Sequence, residues 1–145
     1  MPDLEHIIET FDFLMEWDAR YQFLEELGGR LSDIAPEDKT ENNMVHGCAS
    51  NVWITGYMDE SGSGKFIYEA EAEQPIIRGL VYLVLQVFAS KTPDEILNTS
   101  FDKFLKRLKL DEHLSTQRHI GMYALVQKMK SLALPFAEQD EFETT

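Results

Sequence analysis

One cysteine, Cys48, is the only thiol in 145 residues. A single thiol cannot close an internal disulfide, and an iron–sulfur cluster takes about four cysteine ligands, so neither a stapled fold nor a cluster-holding scaffold fits. Basic residues are scarce too: 13 Lys and Arg stand against 26 Asp and Glu, a formal net charge of -13. Nucleic acids and anionic membranes are bound through clustered Lys and Arg, and this balance disfavours both. Beyond that, net charge speaks to solubility rather than identity. Long hydrophobic runs are missing. The longest, residues 76–89, is interrupted by Arg78 and Gln86 and falls short of the ~20 residues that cross a bilayer. No basic segment followed by an apolar one opens the chain, so the expected location is cytoplasmic. Internal repeats and low-complexity tracts are absent as well.

What is present suits one compact domain: 43% hydrophobic and 11% aromatic residues are enough apolar material for a core. Residues 1–136 are expected to form it, with an acidic, frayed tail over 137–145. Leu4, Ile7, Ile8, Phe11, Leu14 and Met15 recur at helical spacing behind Asp3, a candidate N-cap. A second helix follows, with Asp18 as its cap and Gly28-Gly29 near its end. The polar stretch 32–43 reads as a surface loop. Residues 52–58 and 66–72 then alternate with a period of two, predicting a hairpin joined by Asp59 to Gly64. An isolated hairpin is marginally stable, so residues 43–46 are candidates for a third strand. Trp53 and Tyr57 are assigned to packing of the sheet.

After Gln74 the pattern is helical. Pro75 suits a first turn, and the segment behind it is apolar nearly all round, predicting a buried central helix beneath the sheet. Thr92-Pro93-Asp94-Glu95 has the form of a capping box. A further helix runs through Phe101, Phe104, Leu105 and Leu108, and Ser115 caps a last one that ends before Pro135. The fold class is therefore α+β: an N-terminal helix pair, a small antiparallel sheet, a buried central helix and C-terminal helices.

A lone cysteine is by default a buried small hydrophobe. Its neighbours argue otherwise here. Gly47 lets the backbone bend sharply, and His46 and Ser50 are polar, so Cys48 sits at a loop-to-strand junction rather than inside an apolar run. His46, His113 and His119 raise two other readings. A structural zinc site takes four Cys or His ligands at short paired spacings, of which His46 and Cys48 supply two. A Cys–His hydrolase needs a base, an orienting group and oxyanion donors that only geometry can establish.

The string Gly47-Cys48-Ala49-Ser50-Asn51-Val52-Trp53 resembles the sulfur-acceptor loop of the SufE family. Four more stretches match that family in order and spacing. They are Trp17 to Tyr21 with Glu26-Leu27-Gly28, Ile77-Arg78-Gly79-Leu80, Thr92 to Ile96, and Leu114 to Arg118 with Gly121. Together they cover roughly residues 17–133. The resemblance implies a SufE and NifU-like fold and a sulfur relay. A cysteine desulfurase of the SufS kind forms a persulfide on its own cysteine, Cys48 takes the outer sulfur, and an iron–sulfur cluster scaffold receives it. Pyridoxal phosphate belongs to the partner, no cofactor is expected on this chain, and the chain is a carrier and activator rather than an enzyme. Arg118 is implied to lie near the acceptor loop, where a guanidinium favours thiolate or persulfide anion. Two positions depart from the family pattern. Ala49 stands where Gln is common, and Ala72-Glu73 replaces a Ser-Asp pair, leaving Glu73 as a charge beside either Cys48 or the helix dipole. The candidate site is thus Cys48 with His46, Gly47, Ser50, Glu73 and Arg118. The competing reading is a regulator that docks on a desulfurase without accepting sulfur.

Overall fold

A computed structural model describes residues 3–48 and 50–137. Its elements run α1 (Leu4–Phe13), α2 (Trp17–Gly28), β1 (Val52–Met58), β2 (Phe66–Ala72), α3 (Pro75–Val87), α4 (Pro93–Leu97), α5 (Phe101–Arg107) and α6 (Thr116–Ala133). Short 3-10 turns occupy Pro36–Asp38, Glu41–Asn43, Leu110–Glu112 and Leu134–Phe136. The α+β class is therefore observed. The strands pair antiparallel with Val52 opposite Ala72 and Met58 opposite Phe66. Asp59 closes the hairpin loop by accepting hydrogen bonds from Ser61 and Ser63.

Helix α3 is the axis of the fold. Gly79 to Val84 and Val87 are buried, and the helix touches α1, α2, β2 and α6. Its crossing with α2 is close enough to require glycine on both sides. A β-carbon on Gly79 would lie 2.5 Å from the Leu24 carbonyl carbon and nearer still to its oxygen, and one on Gly28 would lie 2.8 Å from the Pro75 oxygen. Arg78 locks the same crossing. Its guanidinium donates to the carbonyls of Gly28 (3.1 Å), Leu31 (3.0 Å) and Ala72 (3.0 Å) and pairs with Asp33 (3.3 Å). These carbonyls end α2, follow it and end β2, so one side chain fixes where α3 starts relative to helix and sheet.

Two caps hold the later helices as the sequence predicts. Thr92 N donates to Glu95 Oε1 at 2.8 Å and Glu95 N to Thr92 Oγ1 at 3.2 Å, a complete capping box. Ser115 Oγ accepts from Arg118 N at 3.2 Å. Four expectations need correction. Asp18 lies inside the first turn of α2, whose N-cap is Glu16 without a side-chain bond. Residues 43–46 form no strand: Met44 makes a single antiparallel bridge to Trp53 because the chain before it is already wound into a 3-10 turn. The polar loop 32–43 carries one core residue, Ile34, whose N–H donates to Glu71. Trp53 packs as expected, with Lys39 over its ring, but Tyr57 is 42% exposed because it faces away from α6 near the hairpin tip. The tail beyond Ala137 lies outside the described residues.

The candidate sulfur site

Gly47 turns the chain with φ +105°, a conformation that other residues adopt only with strain, and so delivers Cys48 against the flank of α6. The contact there is tight. Cys48 Sγ donates to the Gly121 carbonyl at 3.6 Å, and a β-carbon on Gly121 would stand 3.3 Å from the sulfur. Glycine in mid-helix costs stability relative to alanine, and here it makes room for a thiol. Cys48 is half-buried, and burial pushes its thiol above the ordinary value. The bond to Gly121 uses the S–H as donor and therefore also requires the neutral form.

The sulfur borders a cavity of about 390 Å³ between α3 and α6. Its wall is apolar through Val52, Ile77, Leu80, Val81, Met122 and Leu125. Ser50, Gln74, Ser115, Gln117 and Arg118 contribute the polar part. Arg118 is partly buried, and its guanidinium makes no hydrogen bond or ion pair with any described residue; only its backbone N–H is engaged, by Ser115. The other arginines of the interior contrast with it. Arg20 donates to the carbonyls of Phe11 and Leu14 and lies over Trp17, and Arg78 is fully bonded.

The structure gathers part of the predicted set. Cys48, Ser50 and Arg118 line one cavity, and Gly47 bends the chain into it. His46 does not line it: the imidazole is exposed and faces Glu41 at 3.4 Å. Glu73 is exposed and does not line the cavity; at this strand-to-helix junction the lining residue is its neighbour Gln74, the N-cap of α3. Ala49 lies outside the described residues. His113 stacks on Trp17 at 3.7 Å, away from the thiol, whose one hydrogen-bond partner among the described residues is Gly121. Among the described residues no group of three His, Cys, Asp or Glu side chains could hold a metal ion, and no helix is long and apolar enough to cross a membrane. Gln74, Gln117 and the apolar wall were not singled out as site residues from the sequence. Gly121 was visible there only as a member of a motif, and Ser115 as a motif member and helix cap.

Residues 5–133 match the family model for SufE, the Fe-S metabolism associated domain. The chain belongs to the SufE family. A SufE-like protein of Rhizobium meliloti (strain 1021) is 36% identical over 134 residues, 92% of this chain and 96% of the relative. A SufE-like protein of Rhizobium etli is 34% identical over 92% of this chain and 90% of its own length. The solution structure of a hypothetical protein from Thermus thermophilus shares the fold with a TM-score of 0.72, covering 91% of this chain and 93% of that one at 19% identity. SufE membership gives the motifs of the sequence a place in the molecule. Arg78-Gly79 is the lock of the α2–α3 crossing, Thr92 to Glu95 the cap of α4, and Ser115 to Gly121 the part of α6 that faces the thiol.

Proposed function

We infer that Cys48 is the acceptor of a sulfur relay serving iron–sulfur metabolism. The observation that carries this reading is the lone thiol seated at a cavity that also contains Arg118, in a chain of the SufE family. The donor is the persulfide of a pyridoxal-phosphate cysteine desulfurase of the SufS kind. Cys48 thiolate attacks the outer sulfur of that persulfide, the donor S–S bond breaks, the donor cysteine leaves as thiolate, and a new S–S bond forms on Cys48. Sulfur then passes to a cluster-assembly scaffold. Nothing in this exchange requires a cofactor on the acceptor, and the reduced thiols it uses suit the cytoplasm.

The raised thiol pKa and the bond to Gly121 support a sheltered resting state. Reaction then requires the desulfurase to draw the loop at Gly47 away from α6 or otherwise ionise the thiol. The alternative, a docking regulator with Cys48 as bystander, differs in one measurable respect. Cysteine turnover by the desulfurase should rise on adding the wild-type chain and lose most of that rise with Cys48→Ser, while complex formation stays intact. Equal stimulation by both forms would favour the regulator.

A further inference from the structure

A carrier that holds one extra sulfur atom needs little space beside its thiol. The cavity at Cys48 has about 390 Å³, within the roughly 300–1,000 Å³ range of small-molecule sites. It also has the composition of one, an apolar wall with a few convergent polar groups. The group that selects among ligands is Arg118. In a chain with 26 carboxylate residues, this partly buried guanidinium has no carboxylate partner among the described residues, whereas Arg78 and Arg107 pair with Asp33 and Asp12. A cation kept unpaired at the wall of a cavity is a receptor for an anion, and guanidinium geometry favours a carboxylate. Gln74 and Gln117 add amide donors and acceptors to the same space. The apolar wall accommodates a short aliphatic segment between that anion and the sulfur.

We propose that the Cys48 cavity binds a small thiol bearing a carboxylate, held by Arg118, and that Cys48 persulfide discharges its outer sulfur onto that thiol. The step rests on the acceptor reading above. The bound thiolate attacks the outer sulfur, the Cys48 S–S bond breaks, and a new S–S bond makes the small molecule a persulfide. Cys48 leaves as thiolate and recovers its proton from water. The transferred sulfur keeps its oxidation state, so no separate oxidant or reductant is involved. The chain would then feed both a protein recipient and a soluble sulfur pool.

Two measurements test this separately. The first needs no desulfurase: rates of Cys48 alkylation by iodoacetate and by its neutral counterpart iodoacetamide, each referenced to a free thiol in the same buffer. Net charge of -13 repels iodoacetate, so general electrostatics lowers the referenced ratio. Binding at Arg118 raises it instead, by about tenfold, the effect of one hydrogen bond to a charged group. Arg118→Gln should remove the preference. A wild-type ratio at or below that of the free thiol overturns the subsite whatever the variant does, and so does a preference that survives in folded Arg118→Gln. The second measurement loads Cys48 with sulfur, removes the desulfurase, and follows single-turnover discharge to 3-mercaptopropionate or 3-mercaptopropionamide, with rates expressed per thiolate. The acid should saturate and exceed the amide by about tenfold. Equal, unsaturated rates overturn the discharge step. A Cys48 that never loads sulfur overturns the parent reading and the discharge step with it, while the alkylation ratio still decides whether the subsite exists.

Discussion

Arg78 and Arg118 stand in the first turns of α3 and α6, the two helices that wall the same cavity, and their surroundings are opposite. Arg78 donates to three carbonyls and pairs with Asp33, so its charge is fully used by the fold. Arg118 contributes only its backbone N–H to the hydrogen bonding of the described residues and lines the cavity with its guanidinium unpaired. The same residue type, near the start of a helix in both cases, is thus a structural lock in one region and an unpaired charge in the other. The glycines that follow them repeat the contrast. Gly79 lets two backbones touch, whereas Gly121 lets a sulfur approach a helix. The α2–α3 crossing is built for rigidity, and the cavity beside α6 is left with an unpaired charge and a thiol.

The comparison breaks most visibly at Gly79. Gly79→Ala puts a methyl onto the Leu24 carbonyl, which backbone cannot evade cheaply, so a loss of about 3 kcal/mol or more is expected, seen as a large fall in melting temperature. Next comes Arg78→Ala, which strips partners from three carbonyls at the α2–α3–β2 junction. A destabilisation of about 2–4 kcal/mol follows by denaturant titration. Arg118→Ala should stay within about 0.5 kcal/mol of wild type in the same titration. Its expected effect lies in sulfur loading, slowed about tenfold for one lost charged contact. Equal stability losses in the two arginine variants would erase the distinction. Gly121→Ala is subtler. Its methyl meets the Cys48 sulfur at 3.3 Å, so stability should change by less than about 1 kcal/mol while the thiol becomes easier to alkylate.

The smallest effect is in the pH dependence. Burial raises the Cys48 pKa in the folded chain, so the unfolded thiol ionises first. The stabilisation is complete below about pH 8.5, the free-thiol value, and is lost as pH rises through the raised folded value. Wild-type stability should therefore fall more steeply than that of Cys48→Ser above about pH 9.

The parts of this account that were legible in the sequence are those set by local patterns. Helical periodicity, the capping box at Thr92 and the cap at Ser115 are decided within a few residues, and the structure keeps them. Cys48 was legible because it is unique. What depends on the direction of single side chains in the assembled fold was not. Glu73 and Gln74 are adjacent at the turn between β2 and α3, and only Gln74 lines the cavity, a difference of direction that no local pattern encodes. His46 is drawn outward to Glu41 by a loop wound into a 3-10 turn, the same turn that leaves Met44 as one bridge instead of a strand. The cavity wall comes from α3 and α6, which are distant in sequence, so no local reading assembles it.

The most direct test of the central claim is intact-mass analysis after incubation with a co-occurring cysteine desulfurase and free cysteine. The wild-type chain should gain whole sulfur atoms that dithiothreitol removes, and Cys48→Ser should gain none while remaining folded. A wild-type mass that never changes, or an equal gain on Cys48→Ser, would contradict it.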